Sequence, residues 1–402
     1  MTRLLEYLAE QTDEAGMNGH DAEEHADRTH EKQQEIHDRI VQYYRDIYDT
    51  SVQKAELATT VAENEHRLVK GIDLDNDYCL YVGIPFCPSV CSYCSFSSSP
   101  IAEWKDKVES YLFALLKEIR AIGKMSEGHR PDSVYIGGGT PTTLEAEQMD
   151  RLLKTITENF DLSNVLEFTV EAGRPDSITE EKLAVIRKYP VTRISINPQT
   201  MQQKTLDLVG RNHTVAQTKD AFYLARKLGF DNINMDLIAG LPGEDASDME
   251  DTLRQVEEMH PDSLTVHALA IKRAARYGQE GRKQDLHSEI SQMIMSAADC
   301  AKRIGLQPYY LYRQKNIAGN FENVGYAELD KAGIYNILIM EEKQTILAAG
   351  AGASTKILLK DPLRTDSGKE INLVRCENVK NIMEYIDRVD EMIERKGEWL
   401  WR

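Results

Sequence analysis

From residue 78 onward the chain alternates between short apolar, β-branched runs and longer amphipathic stretches. The runs fall at 80–84, 133–136, 166–170, 193–196, 232–237 and 263–266. Between them apolar residues recur at helical spacing, as in the stripe Trp104, Val108, Tyr111, Leu112, Leu115, Ile119 and Ile122. Strand–helix alternation predicts a parallel sheet covered by helices, because each parallel crossover lays an apolar helix face on the sheet. Six such units predict an α/β fold built on a partial (β/α)6 barrel.

The flanks follow different rules. Over 31–68 the spacing of Ile36, Ile40, Tyr43, Tyr44 and Ile47 predicts helix, preceded by a polar stretch at 13–30 that reads as loop or frayed helix. This region holds five of the ten histidines, His20, His25, His30, His37 and His66. Their spacing of about five residues does not align them on one helix face, which favours solvated surface over a ligand set. Beyond residue 300, the segments 308–312, 334–340 and 345–348 read as strands and 379–395 as helix. Three regions are therefore expected: a helical extension at 1–70, a barrel at 71–300 and a small α+β domain at 301–402.

Composition narrows the function classes. The 48 basic residues against 66 acidic ones leave a net charge of −18. That balance disfavours non-specific binding to nucleic acid or anionic membranes, while leaving room for a small basic pocket. No apolar run reaches the roughly 18 residues of a spanning helix. The first residues lack the apolar core of a secretion signal, so a cytoplasmic protein is expected.

Three of the six cysteines, Cys87, Cys91 and Cys94, form a C-x3-C-x2-C pattern on the loop after the first strand. Cys79, Cys300 and Cys376 are scattered and read as core residues. Three thiolates hold three irons of a [4Fe–4S] cluster and leave the fourth open to a small chelating molecule. A structural zinc site instead wants four closed ligands, and no fourth lies close in sequence. Buried structural cysteines are the other bland alternative. Gly137, Gly138, Gly139 and Thr140 follow the second strand, Glu171 ends the third, Gln199 follows the fourth and Asp236 ends the fifth. These are the C-terminal strand ends, where barrel enzymes carry their chemistry. A glycine triplet lets a ligand approach backbone amides, or simply makes a tight turn.

At this point a family resemblance emerges. C-x3-C-x2-C is the signature of the radical S-adenosylmethionine (SAM) superfamily. Tyr-Val-Gly-Ile-Pro-Phe-Cys (81–87), Gly-Gly-Gly-Thr-Pro-Thr (137–142), Phe-Thr-Val-Glu-Ala (168–172), Arg-Ile-Ser-Ile-Asn-Pro-Gln (193–199) and Asn-Met-Asp-Leu-Ile-Ala-Gly-Leu-Pro-Gly (234–243) resemble the oxygen-independent coproporphyrinogen III dehydrogenase family. Glu-Ala-Gly-Arg-Pro-Asp (171–176), Tyr-Tyr-Leu-Tyr-Arg-Gln-Lys-Asn (309–316) and Gly-Asn-Phe-Glu-Asn-Val-Gly-Tyr (319–326) are similar to its HemZ branch. The resemblance covers about residues 50–390.

It implies that Cys87, Cys91 and Cys94 ligate the cluster and that one SAM, or two, binds beside it. Gly138, Gly139 and Thr140 are then expected at the methionine part. Glu171 would face the cationic amino or sulfonium group, Arg211 the carboxylate, and Gln199 and Asp236 the ribose. Tyr81 and Tyr93 match further SAM contacts, and Ile238 and Ala270 match positions near a second SAM in some relatives. The implied reaction is oxidative decarboxylation of two coproporphyrinogen III propionates to vinyl groups, fed by a reduced flavodoxin- or ferredoxin-type donor. Arg174, Lys272, Arg273, Arg276 and Arg313 are candidate propionate contacts, since arginine suits bidentate carboxylate binding. Tyr309, Tyr310 and Tyr312 flank a flat macrocycle or pack a strand. One feature keeps other members of the superfamily in view, a heme chaperone and a methyltransferase or heme-modifying enzyme, and a second weakens the chaperone. Phe96 stands where dehydrogenases carry a fourth cysteine. The His-Asn-x-x-Tyr-Trp motif of chaperones is replaced by Gly-Ile-Tyr-Asn-Ile at 333–337.

Overall fold

The computed structural model describes residues 22–94, 98–269, 287–313, 321–364, 368 and 370–401, with the backbone alone for 22–30 and 287. The single helix expected at 31–68 is a hairpin of α1 (Ala22–Tyr48) and α2 (Val52–Val69). The break is local. Asp49 has a left-handed backbone (φ 49°), and the Ser51 hydroxyl caps α2 by accepting from the Lys54 amide. Folding back lets the stripe of Ile36, Ile40 and Tyr44 bury itself against Ala62, which helical periodicity alone does not reveal. His37 bridges the two helices, 2.8 Å from Glu56 and 3.1 Å from Glu63. Burial alone would lower its pKa, but the two carboxylates raise it. Among the described residues, no three His, Cys, Asp or Glu side chains converge on a single-metal site. His20, and the side chains of His25 and His30, lie outside the described residues.

All six expected runs are strands: β1 (Tyr78–Ile84), β2 (Pro131–Gly138), β3 (Glu167–Gly173), β4 (Arg193–Ile196), β5 (Ile233–Ala239) and β6 (Ser263–Ala268). They lie side by side, parallel and in chain order. The crossovers carry α3 (Val108–Met125), α4 (Ala146–Asn159), α5 (Glu180–Arg187), α6 (Gln203–Val209), α7 (Val215–Lys227) and α8 (Ala246–Met259). Six residues of the predicted stripe lie in α3 and are buried; Trp104 packs on the core from the turn before it. One sheet face is apolar. Leu80, Val82, Val134, Ile136, Phe168, Val170, Ile194 and Met235 join the helix layer in one large core. The alternate positions, among them Tyr81, Tyr135, Glu171, Arg193, Ser195, Asp236 and Thr265, line the concave face. Period-two geometry separates the two sets.

After α9 (His287–Arg303), the chain contributes β7 (Gln307–Tyr312), β8 (Asn323–Ala327), α10 (Ile334–Met340), β9 (Thr345–Ala349), β10 (Ser354–Arg364) and β11 (Glu370–Glu377). This α+β region extends the barrel sheet at both edges. β9 pairs parallel with β1 and β8 antiparallel with β6, giving one 11-stranded sheet. The helical hairpin docks on the β7 side, where Asn64 donates to the Pro308 carbonyl (2.9 Å) and Lys54 pairs with Glu322 (3.0 Å).

Residues 334–340 correct the sequence reading: they form a helix, not a strand. Ile334, Tyr335, Ile337 and Leu338 are buried, the i, i+1, i+3, i+4 pattern of a helix face. A short apolar run carries no periodic signal that separates the two states. The α10 helix packs inside the sheet at the N-terminal strand ends, against Cys79 and Ile346. Its Tyr335 amide donates to Glu167 (2.8 Å), the first residue of β3. The expected terminal helix is two helices, α11 (Ile382–Asp387) and α12 (Val389–Gly397). They are anchored by a buried Lys396–Glu118 ion pair of 2.6 Å, which Asn378 and Tyr385 complete with hydrogen bonds. No described helix is long and apolar enough to cross a membrane.

Candidate cluster and cofactor site

The cysteine loop leaves the C-terminal end of β1 and is pinned from three sides. The glycine-rich turn after β2 lies directly against it. Gly139 donates to the Ile84 carbonyl and Thr140 to the Phe86 carbonyl, both at 2.7 Å. The Thr140 hydroxyl reaches the Cys87 sulfur at 3.4 Å. A Cβ on Gly139 would sit 2.6 Å from the Phe86 oxygen and 3.0 Å from the Cys87 sulfur. Gly138 has φ +108°, and a Cβ there would meet the Ile84 oxygen at 2.9 Å. The glycines are thus required by the approach of two backbones, before any ligand is considered.

Arg174 pins the second side. Its guanidinium donates to the Ser89 carbonyl (2.9 Å) and hydroxyl (2.8 Å), and grips Asp176 at 3.0 and 2.7 Å. Only 4% of the residue is exposed. This expected propionate contact is therefore engaged in holding the cysteine loop. The third side is α6 and the turn after it. Ser92 donates to the Val209 carbonyl (3.0 Å), and Arg211 reaches the Tyr93 hydroxyl at 3.2 Å and the Cys91 sulfur at 4.0 Å.

Cys87 and Cys91 are buried, and Cys94 is half-buried. Burial pushes the Cys87 thiol up, while the hydrogen bond from Thr140 draws it down. A cluster fits such a set, because each iron takes its own cysteine sulfur and no convergence on one point is needed. Arg211 adds a second sign of fit. It donates to the Asn197 carbonyl (2.6 Å), yet its buried Nε has no partner. A desolvated guanidinium N–H beside the cysteines suits an incoming carboxylate. His213, two residues on, is fully buried, and burial followed by Arg211 pushes its pKa down to about 3. It is therefore neutral beside the guanidinium.

Glu171, Gln199 and Asp236 stand around the same mouth. Glu171 accepts a hydrogen bond from the Tyr135 hydroxyl. Burial, reinforced by the Asp236 charge, raises its pKa to about 7 against the opposing pull of Tyr135 and Arg193. Burial alone would also raise Asp236, but His267 and Asn234 hold it below the usual range. Asn234 donates to Asp236 at 2.7 Å, and His267 Nε2 lies 3.9 Å away. Gln199 has a left-handed backbone (φ 68°), enforced by hydrogen bonds of 2.9 Å to both Asp236 and Ile238. Backbone strain of this kind concentrates at functional sites. Ile238 packs with Leu269 and Tyr93 into an apolar patch at the rim. Ala270, Lys272, Arg273, Arg276 and Phe96 lie outside the described residues, and Arg313 is exposed at the end of β7.

Of the floor beneath this mouth, sequence reasoning named Tyr81, Tyr309 and Tyr310 but missed Tyr135, Tyr335 and Arg193. Tyr81, Tyr135 and Tyr335 stack at small interplanar angles, with Tyr135 and Tyr335 centroids 4.6 Å apart. Arg193, 2% exposed, sits at the base near Tyr135, Tyr309 and Glu167. Tyr309 and Tyr310 are buried against the lumen side, and the Tyr310 ring lies over Gly325, where a Cβ would be 1.9 Å away. The available signal was the polar residue at every second position of runs read as apolar.

The family model described as "Radical SAM superfamily" matches residues 81–256. The chain is similar to the oxygen-independent coproporphyrinogen-III oxidase-like protein HemZ of Bacillus subtilis, with 44% identity over 80% of this chain and 64% of that protein. It is also similar to the heme chaperone HemW of the same organism, 34% identical over 54% of this chain and 58% of that one. The chain thus spans somewhat less than two thirds of these relatives' lengths. Among solved structures, coproporphyrinogen III oxidase (HemN) from Escherichia coli matches with TM-score 0.63 and 24% identity, covering 84% of this chain and 73% of that one. That likeness establishes the fold.

Proposed function

The chain belongs to the radical SAM superfamily, and from that premise we propose an oxidoreductase that decarboxylates propionates of coproporphyrinogen III to vinyl groups. Membership of the superfamily implies a [4Fe–4S] cluster and SAM. When bound, the two supply hydrogen-atom abstraction from an unactivated carbon, and the protein positions and shields that chemistry. A reduced flavodoxin- or ferredoxin-type protein is the proposed electron donor.

The observation that carries the reading is spatial. A cysteine loop, the orphaned Nε–H of Arg211 and two carboxylates ring a single polar lumen. In this reading Cys87, Cys91 and Cys94 hold the cluster. Arg211 receives the SAM carboxylate through Nε, and Glu171 receives the ammonium, whose charge draws the glutamate back to its ionised form. Gln199 and Asp236 hold the ribose. Tyr135 orients Glu171 from below. The polar wall then admits a substrate rich in carboxylates, which an apolar lumen would exclude. The names of the HemZ and HemN relatives support the substrate class.

The HemW relatives support a second reading, a heme chaperone. Against it, the positions of the chaperone motif lie at 333–337, inside the α10 plug. There Tyr335 stacks under Tyr135, and Asn336 donates to Tyr309 at 3.3 Å. The test is anaerobic incubation of reconstituted, reduced protein with SAM and coproporphyrinogen III. Vinyl products with 5′-deoxyadenosine are expected. Deoxyadenosine without vinyl product sinks the substrate assignment but keeps the radical chemistry, whereas stable heme binding without SAM turnover favours the chaperone.

A further inference from the structure

The cofactor reading assigns Arg211 to one end of SAM and Asp236 to the other. Between them, from β4 across β5 to β6, runs a row of buried polar side chains that this reading does not use: Ser195, Asn197, Asn234 and Thr265. The row is continuous. Arg211 Nη2 donates to the Asn197 carbonyl at 2.6 Å. The Asn197 side-chain oxygen accepts from the Ser195 hydroxyl. That hydroxyl accepts in turn from Asn234 Nδ2 at 3.2 Å, and the same nitrogen donates to Asp236 Oδ1 at 2.7 Å. Thr265 donates to Asn234 Oδ1 at 3.2 Å. The orientation of the Asn234 amide follows from its partner, because an ionised carboxylate only accepts and so takes the NH2 side. With that amide fixed, the Ser195 hydroxyl has its proton left for Asn197.

We propose that Asn234 is a positioning residue that couples the two ends of the SAM site. The proposal rests on the SAM placement above. Asn234 holds Asp236 directly, and it braces Arg211 through Ser195 and Asn197. Hydrogen bonds in a row polarise one another in a low-dielectric interior, so the loss of one member is felt along the rest. Packing alone would be met by a β-branched apolar residue at 195 or 234, without the cost of burying polar groups. Asp236 keeps its capacity to bind, because a carboxylate offers about four lone-pair sites and Asn234 takes one. His267 Nε2 stands 3.9 Å from the other oxygen, Oδ2. The spacing between the Arg211 guanidinium and the Asp236 carboxylate is thus set by one row of side chains, and a ligand that reaches both meets them in register.

SAM is the probe, on the full reconstituted chain. Its affinity is read by calorimetry and by the change it makes in the electron paramagnetic resonance of the reduced cluster. Asn234→Leu should weaken SAM by about tenfold, the equivalent of about 1.4 kcal/mol, and Arg211→Ala by more. The two residues share no hydrogen bond, so independent sites would multiply their effects. Coupling through the row predicts a double variant at least about threefold tighter than that product. Ser195→Ala, which bonds to neither Asp236 nor Arg211, takes the place of Asn234→Leu in the cycle if the latter loses its iron or its circular dichroism. Effects that multiply, or wild-type SAM affinity in the variant of the row, overturn the coupling and leave the SAM site standing. A wild type that does not bind SAM overturns both.

Discussion

Along β2, Val134 and Ile136 point into the helix layer and are fully buried, whereas Tyr135 between them points into the lumen, donates to Glu171 and stacks on Tyr335. The same division runs through β3 to β6. The outer face is held by burial of apolar area, a non-directional force that tolerates swaps of similar volume. The inner face is held by hydrogen bonds and stacked rings, in which each group depends on a particular partner. One set of strands therefore has a face that specifies the fold and a face that specifies chemistry, and the two should respond differently to substitution.

The sharpest way to break that comparison is to truncate both faces. Ile136→Ala removes a fully buried side chain from the outer core and should cost about 2–5 kcal/mol of stability. Thr169→Val, on the inner face, removes the hydroxyl that donates to Glu167 and should stay near 1 kcal/mol, the scale of one lost hydrogen bond. Denaturant unfolding of the apo protein gives both numbers, and equal losses would erase the distinction.

Gly139→Ala probes where the two faces meet. The added methyl is forced to 2.6 Å from the Phe86 carbonyl. An overpacking penalty of about 1–3 kcal/mol should fall on the cysteine loop. Iron content after reconstitution should drop severalfold with circular dichroism unchanged. Full iron loading would show that the turn is less tightly built than it looks.

Smaller effects test positioning. Arg174→Ala removes charge-assisted hydrogen bonds to Ser89, worth about 1.5–3 kcal/mol in typical settings. Iron release to a chelator should quicken by an order of magnitude or so, with the fold retained. An unchanged release rate would return Arg174 to the list of substrate contacts.

Glu171 gives the mildest signature, a pH dependence. Its pKa is raised to about 7 mainly by burial, so free protein gains ionised Glu171 as pH rises through 7. If that carboxylate receives the SAM ammonium, affinity should rise between pH 6 and 8, by at most about tenfold per unit below the pKa. Calorimetric titration should show the trend in wild type and a flat profile in Glu171→Gln. For stability the sign is opposite. A carboxyl with a raised pKa binds its proton more tightly when folded, so its contribution declines as pH climbs from about 4.5 to 7.

How much of this was legible in the chain depends on the face. The outer face announces itself, because Val, Ile and Leu recur at every other position and force six strands into view. The C-x3-C-x2-C pattern was equally plain, because Cys87, Cys91 and Cys94 are near neighbours in the chain. The inner face was harder. Tyr335 comes from 200 residues beyond Tyr135 in the chain (335 minus 135), and no local pattern pairs them. Arg174 lies within a family motif, yet its grip on Ser89 is a tertiary fact. The apolar run at 334–340 misled because seven residues are too few to show a period. The turn at Asp49 was hidden because a helical stripe continues on both sides of it.

The central claim is that the cysteine loop and the lumen wall build one SAM site, with Arg211 as the link. Electron paramagnetic resonance of the reduced, reconstituted protein tests it directly. Adding SAM should change the cluster signal of the wild type. Arg211→Ala, which keeps all three cysteines, should retain a cluster signal that SAM leaves largely unaltered at the same concentration. A wild-type spectrum indifferent to saturating SAM, or an Arg211→Ala spectrum that responds just as fully, would contradict the account.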